Sequence, residues 1–218
     1  MSSALRGIVF DLDGTIAETF PMAIDLVGRT IERHGGGTLT AEEVIAYFGP
    51  TEQGILRAAL GEGWEAAWED YLAAYVPAHR MCPRPFPGMT EAIREAHARG
   101  CRIGLVTGKT ATTGALSLEV FGIADLFDGV EGGAMDEIVK AERIATLLGA
   151  WHLRPDAAAY VGDVPGDVRE ARTAGVAAVA AAWSAFADRD ALAAEQPDLL
   201  FDDVAAFAEW LDGAACPG

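Results

Sequence analysis

The chain contains no asparagine, only two lysines and only three cysteines among its 218 residues. The cysteines are Cys82, Cys101 and Cys216, an odd number with neither a CxxC pair nor the Cys/His spacing of a metal site. This pattern argues against a disulfide framework and a structural zinc site, and it predicts reduced thiols in the cytoplasm. Any role that needs a lysine amine has just two candidates, Lys109 and Lys140.

Long apolar runs and basic charge are also scarce. No run approaches the roughly 18 apolar residues of a membrane-spanning helix, and the N-terminus lacks the segments of a signal peptide. Sixteen basic residues against 33 acidic ones give a formal net charge of −17 at pH 7, which repels nucleic acid and anionic lipid. We therefore expect no nucleic-acid partner and no membrane partner, while a monomer and a homodimer both remain open.

Short apolar runs alternate with segments of helical periodicity along most of the chain. The runs occupy residues 5–10, 101–106, 157–162, 176–181 and 198–201. Buried strands that alternate with helices predict an α/β fold with a doubly wound parallel sheet. Helices are predicted over 89–99 and 138–148, followed by left-handed caps at Gly100 and Gly149. The second of these helices is expected to turn Ile138, Ala141, Ile144, Ala145 and Leu148 inward.

The segment between the first two predicted strands breaks this alternation. It contains helical patterns over 21–34, 41–47, 52–60 and 64–78 and no convincing strand. We interpret residues 18–81 as an inserted all-α subdomain, and residues 1–17 with 82–218 as the core. The hinges are expected at 16–20 and at the proline-rich 81–88. Trp64, Trp68, Tyr71 and Tyr75 are expected to form the packing face of one inserted helix.

Polar residues follow the predicted strands at the positions where doubly wound sheets bind ligands. They are Asp11 and Asp13 in the segment DLDGT, Thr107 and Gly108, Lys140 at a helix start, and Asp163 and Asp167 in the segment GDVPGD. Carboxylates gathered at one edge of a sheet would repel each other strongly unless a cation lay among them. Mg²⁺ prefers about six oxygen ligands and commonly completes its shell with substrate phosphate. The acidic cluster therefore predicts Mg²⁺ and a phosphorylated substrate.

The remaining polar residues fit the same chemistry. A hydroxyl at Thr107 and an ammonium at Lys140 can hold phosphoryl oxygens and neutralise the charge of the transition state. Asp11 and Asp13 are two residues apart on an extended segment and point the same way, while Leu12 turns into the core. One carboxylate can attack phosphorus, and the other can transfer protons.

At these residues the chain resembles the haloacid dehalogenase superfamily of phosphohydrolases. The four motifs of that superfamily are similar to DLDGT at 11–15, Thr107, Lys140 and GDVPGD at 162–167, in this order, and residues 86–109 are similar to phosphoglycolate phosphatase-like members. The resemblance implies a Rossmann-like core, a helical cap formed by the insertion, Asp11 as nucleophile and Asp13 as acid/base. It also implies that Mg²⁺ is held by Asp11, Asp163, Asp167 and the main-chain carbonyl of Asp13.

Two departures from the family pattern concern the substrate rather than the core chemistry. Gly108 stands where many relatives have asparagine, and Ala141 where many have proline. A phosphosugar mutase of the same superfamily is the main alternative. A phospho-receiver module and a catalytically silent binding protein are alternatives from another class. A dehalogenase would not need Asp13, and a Schiff-base hydrolase would need a cap lysine, which residues 18–80 lack.

Specificity is expected to reside in the cap, because the core contacts only the phosphoryl group. The polar candidates for contact with the rest of a small phosphorylated metabolite are Glu18, Thr51, Gln53, Arg57 and Arg80. Arg57 is the most informative, because its guanidinium would suit a carboxylate-bearing substrate such as phosphoglycolate. Lys109 and the four histidines, including His79, are expected at the surface.

Overall fold

A computed structural model describes residues 5–214, so Cys216 lies outside the described residues. Six parallel strands form one sheet in the order β3-β2-β1-β4-β5-β6. The strands are β1 (Gly7–Phe10), β2 (Arg102–Val106), β3 (Gly129–Glu131), β4 (Ala158–Gly162), β5 (Ala177–Ala181) and β6 (Leu199–Phe201). This arrangement confirms the α/β, Rossmann-like doubly wound fold. No helix within 5–214 combines the length and the apolar character needed to cross a membrane.

Helices cover the sheet and fill the insertion between β1 and β2. Within the insertion lie α1 (Phe20–Arg33), α2 (Ala41–Ile45), α3 (Glu52–Leu60) and α4 (Trp64–Ala78). The rest of the chain contributes α5 (Met89–Ala98), α6 (Ala111–Val120), α7 (Lys140–Trp151), α8 (Pro165–Ala174), α9 (Arg189–Ala194) and α10 (Val204–Ala214).

Strand β1 lies at the centre of the sheet and determines where the site forms. Phe10 is in register with Leu105 of β2 on one side and with Val161 of β4 on the other. Alternate residues of β1 pack into different hydrophobic clusters, Phe10 into one and Val9 into the other, so both faces of the strand are buried. The residues that follow β1, β2 and β4 therefore emerge together at one edge of the sheet.

The structure differs from the sequence expectations at β3 and α7. Strand β3 has only three residues, one of which is Gly129. It is therefore too short to be recognised in the sequence as an apolar run. Helix α7 begins at Lys140 and continues through Gly149, so the left-handed position falls at His152, with φ 54°. The expected inward face was wrong at Ile138, which precedes the helix and is exposed, and at Ala145, which is exposed on the helix itself.

The four helices of the insertion share a hydrophobic cluster of their own. Tyr71 and Tyr75 are fully buried in it, and Trp64 and Trp68 pack against it, which confirms their expected role as a packing face. The cluster lies apart from the two clusters that flank the sheet. The insertion thus forms a cap with its own small core.

Hydrogen bonds tie the base of the cap to helix α6. The hydroxyl groups of Tyr75 and Ser117 are 2.8 Å apart, and the Nε2 atom of His79 is 3.1 Å from the same Ser117 oxygen. His79 is buried, so the expectation of a surface position was wrong for this histidine. Burial lowers the pKa of His79, although its hydrogen bond to the Cys82 carbonyl acts in the opposite direction.

Candidate active site

A cavity of about 290 Å³ opens between the carboxyl edge of the sheet and the cap. Six of the predicted core residues line it, namely Asp11, Asp13, Gly108, Lys140, Asp163 and Asp167. Thr107 is not among the described lining residues; it is fully buried, and its hydroxyl accepts a hydrogen bond of 3.2 Å from the main-chain N–H of Lys109 next to Gly108. The structure therefore brings the strand-end residues together around one space.

Three carboxylates form the negative centre of the cavity. Asp11, Asp163 and Asp167 each offer an oxygen atom, and these atoms lie within 4.8 Å of one another. The Nζ atom of Lys140 is 2.6 Å from Oδ1 of Asp167 and 3.3 Å from Oδ1 of Asp11. If all three carboxyl groups were ionised, their negative charge would exceed what this one ammonium group can balance.

The pKa values of these groups reflect that imbalance. Burial, reinforced by the charges of Asp11 and Asp167, raises the pKa of Asp163 to about 9. Burial also raises the pKa of Asp11 to about 7, although Lys140 opposes this shift. Burial disfavours the ammonium form of Lys140, but the two neighbouring carboxylates outweigh it and raise the lysine pKa well above its usual value. The site would therefore gain from a further cation.

The donor set and its surroundings fit Mg²⁺. All three side chains offer hard oxygen atoms, and Oδ1 of Asp11 is buried without receiving a hydrogen bond. Gly14 has φ +70°, and a Cβ atom there would come within 2.0 Å of Oδ2 of Asp163. Glycine is required at this position because the backbone approaches a carboxylate of the cluster so closely.

Asp13 lies beside a second ionic group on the cap side of the cavity. Its Oδ1 atom accepts a hydrogen bond from the hydroxyl of Thr19 and is 3.4 Å from Nζ of Lys109. The same ammonium is 3.8 Å from Oε1 of Glu52, the first residue of α3. Lys109 is only 6% exposed, so the expectation that it is a surface lysine was wrong. Two carboxylates, one from the core and one from the cap, compensate for its burial.

Comparison with known proteins agrees with this geometry. Residues 8–181 match the model of the haloacid dehalogenase-like hydrolase family. The chain belongs to this family. A phosphoglycolate phosphatase of Cereibacter sphaeroides is 31% identical over 180 residues, which cover 79% of this chain and 83% of the relative. A pyrophosphatase PpaX of Anoxybacillus flavithermus is 25% identical over 202 residues, which cover 91% of this chain and 93% of the relative.

The solved structures extend this likeness to the whole fold. A predicted phosphoglycolate phosphatase from Haemophilus somnus 129PT superimposes with a TM-score of 0.80, at 23% identity, over 96% of this chain and 99% of that one. The haloacid dehalogenase-like chain thus shares its fold with a solved structure over nearly its whole length. Identity at this level supports the fold alone.

The carboxylate cluster of this haloacid dehalogenase-like hydrolase predicts a linkage between pH, Mg²⁺ and stability. Without Mg²⁺, Asp163 stays protonated in the folded protein up to about pH 9, whereas the unfolded chain loses this proton near its ordinary value of 3.8. Unfolding then releases a proton throughout this window, so the stability of the metal-free protein should fall as the pH rises. Mg²⁺ requires ionised ligands and should raise the melting temperature more at about pH 8.5 than at about pH 6.

This linkage can be measured by thermal unfolding at the two pH values with and without Mg²⁺. Asp163→Asn is the matched control, because it removes the titrating group while keeping the side-chain volume. The variant should flatten the pH dependence of the metal-free protein. An equal shift by Mg²⁺ at both pH values in the unsubstituted protein would contradict the prediction.

The structure does not bring the five proposed specificity residues into the cavity. None of them is among the described residues that line it. Glu18 accepts hydrogen bonds from Ser184 and Ala185, and Thr51 caps α3. Gln53 is half-buried on α3, Arg57 pairs with Asp136, and Arg80 is exposed.

Sequence reasoning missed Glu52 and the aromatic residues of the cavity. Glu52 follows Thr51, the N-cap residue of helix α3. An acidic residue in the first turn of a helix is ordinarily explained by its interaction with the helix dipole alone. Phe20 and Phe48 come from the cap, and Phe186 comes from the loop after β5. The strand-end rule that located the aspartates also applies to this loop and could have identified Phe186.

Proposed function

We propose that this chain is a Mg²⁺-dependent phosphatase that hydrolyses a small phosphomonoester through an aspartyl-phosphate intermediate on Asp11. The observation that carries the proposal is the convergence of Asp11, Asp163 and Asp167 around the ammonium of Lys140, with Asp13 lining the same cavity. Such a cluster provides a nucleophile, a cation site and a proton-transfer group around one ester.

The roles of the side chains follow from their positions. A carboxylate oxygen of Asp11 attacks phosphorus and forms a P–O bond, while the bond from phosphorus to the leaving oxygen breaks. Asp13 gives its proton to that oxygen and later removes a proton from the water that hydrolyses the acyl phosphate. Lys140, the hydroxyl of Thr107 and the main-chain N–H of Gly108 hold the phosphoryl oxygens.

The metal contributes charge neutralisation. Mg²⁺, held by Asp11, Asp163, Asp167 and the main-chain carbonyl of Asp13, would supply positive charge to the phosphoryl oxygens when bound. The Nζ atom of Lys140 lies 3.3 Å from Oδ1 of Asp11 and opposes the effect of burial, which nevertheless raises the pKa of Asp11 to about 7. A bound cation would favour the ionised form further, so the nucleophile would be available near neutral pH.

The names of the relatives favour phosphoglycolate or pyrophosphate as the substrate. More generally, we propose that the substrate is a small phosphorylated metabolite and that the protein acts in the cytoplasm. The net charge of −17 supports a protein without nucleic-acid or membrane partners. We propose that it acts as a monomer or a homodimer. In either state, all the side chains of the proposed mechanism come from a single chain.

The proposal is tested with para-nitrophenyl phosphate. We expect turnover with Mg²⁺ and its loss on addition of EDTA, with recovery when Mg²⁺ is returned in excess. Glucose 1-phosphate provides the second arm, because a phosphatase releases inorganic phosphate whereas a mutase forms an isomeric phosphosugar. Turnover that persists in EDTA would contradict the metal requirement, and isomerisation without phosphate release would favour the mutase.

A further inference from the structure

We infer that the physiological substrate of this site carries an uncharged, apolar leaving group, of aryl or branched alkyl type, rather than a carboxylate. This inference rests on the proposed phosphatase function and names its substrate class. The relatives' names point to phosphoglycolate, whose leaving group carries a carboxylate, whereas the lining of the cavity favours an apolar leaving group. The two sources therefore make different predictions for the same site.

The cap side of the cavity is built from apolar side chains. Phe20, Ala23 and Val27 lie at intervals of three and four residues on α1 and therefore share one face of that helix. Ile55 and the ring of Tyr71 face the same space from α3 and α4. The charged residues, by contrast, come mainly from the strand ends. The cavity thus has an ionic end for phosphate and an apolar end for the rest of the substrate.

Aromatic rings from both parts of the molecule close the apolar end. The ring of Phe20 packs against Phe48 of the cap, with 5.3 Å between ring centroids, and against Phe186 of the core, at 5.4 Å. Rings in such arrangements offer both faces and edges to a further aromatic group. An aryl leaving group would extend this cluster.

Exposed apolar side chains concentrate at the mouth of the cavity. Of the six large apolar residues that are exposed within 5–214, Ile138, Val164 and Phe186 line the cavity. Phe186 is 54% exposed and Ile138 is 64% exposed. Grouped exposed apolar side chains mark ligand grooves, because exposing them to water is unfavourable unless something covers them. A bound apolar group would remove them from water.

The charges of the cavity leave no cation for a substrate carboxylate. Its two lysines, the only basic residues among the described lining residues, are both engaged with aspartates, Lys140 with Asp11 and Asp167 and Lys109 with Asp13. Glu52 and Glu137 also line the cavity and would repel a second anion. Arg57, the expected partner of a carboxylate, pairs with Asp136 outside the cavity.

Tyr71 supplies a neutral polar contact within the apolar end. Its hydroxyl is buried and has no hydrogen-bond partner among the described residues. Burial raises the pKa of Tyr71 well above its usual value, so the hydroxyl stays uncharged. It could pair with one uncharged polar atom of the leaving group.

The test compares phosphate esters of aliphatic alcohols, so that leaving-group reactivity changes little. We expect kcat/KM for benzyl phosphate to exceed that for ethyl phosphate and for phosphoglycolate at least about tenfold, since each buried methylene contributes about fourfold. Equal values, or a preference for phosphoglycolate, would overturn the inference while leaving the phosphatase proposal intact.

Two substitutions at the cavity mouth sharpen the comparison. Phe186→Ala should lower kcat/KM severalfold more for benzyl phosphate than for ethyl phosphate, whereas Met81→Ala, at an exposed apolar residue outside the cavity lining, should change neither. Ile138→Arg should raise phosphoglycolate turnover relative to benzyl phosphate. An equal effect of Phe186→Ala on both esters would contradict the assigned contact.

A binding measurement separates this inference from the proposed function. Calorimetric titration of the Mg²⁺-loaded protein with benzylphosphonate and with phosphonoacetate requires no turnover. We expect the benzyl compound to bind at least about tenfold more tightly, since its ring would be buried at the apolar end. Tighter binding of phosphonoacetate would overturn the inference whether or not the protein hydrolyses esters. Selective benzylphosphonate binding without hydrolysis of any ester would support the apolar site and refute the phosphatase.

Discussion

Asp11→Asn should reduce the turnover of any phosphate ester by at least about 10⁴-fold, since the variant lacks the carboxylate that attacks phosphorus. Asparagine preserves the shape of the side chain but is a poor nucleophile and removes one negative charge from the metal cluster. Of the three carboxylates whose oxygen atoms lie within 4.8 Å of one another, only two would then remain. Steady-state rates with para-nitrophenyl phosphate at saturating Mg²⁺ would measure the loss.

Asp13→Asn is the matched control for this substitution. It makes the same chemical change two residues away and should cost about 10²-fold to 10⁴-fold through lost proton transfer. Rapid acid quenching during turnover of a ³²P-labelled ester provides a second readout, because the phosphoryl group should be recovered on the protein as an acyl phosphate of Asp11. Failure to recover any label on the protein, together with activity in Asp11→Asn, would contradict the covalent route.

The catalytic end of the site could be predicted from sequence because it depends on local rules. A buried run followed by an acidic residue fixes Asp11 at the end of a strand, and the parallel sheet then places the ends of β1, β2 and β4 side by side. No tertiary detail is needed for that step. The same rule applied to the loop after β5 would have revealed Phe186.

The cap side could not be predicted in this way, because its contacts join residues far apart in sequence. The burial of Lys109 depends in part on Glu52 of α3, which also accepts hydrogen bonds from the main-chain N–H of Thr110, at 2.8 Å, and the Thr113 hydroxyl, at 2.7 Å. Gly54 allows this approach, since a Cβ atom there would come within 2.2 Å of the Met135 carbonyl oxygen. Helical periodicity predicts that α3 exists but does not give its position on the core.

Lys140→Met should separate catalysis from metal binding. We expect kcat to fall by about 10³-fold, because the variant loses a cation aimed at the phosphoryl group. Mg²⁺ affinity should instead rise severalfold, since the ammonium at 2.6 Å from Asp167 and 3.3 Å from Asp11 no longer competes for their charge. Calorimetric Mg²⁺ titration and steady-state rates would measure the two effects on one preparation.

The same substitution should also weaken the metal-free fold, by about 3 kcal/mol near pH 8, because breaking a buried ion pair leaves carboxylates without their partner. Protonation of Asp11 and Asp163, whose pKa values are already raised to about 7 and about 9, would limit the loss at lower pH. Lys109→Met is the matched control, since this lysine lies in the same cavity but pairs with Asp13 and Glu52. It should slow turnover without increasing Mg²⁺ affinity. If Lys140→Met instead abolished Mg²⁺ binding, Lys140 would be a support for the metal ligands rather than a competing charge, and its proposed role at the phosphoryl group would fail.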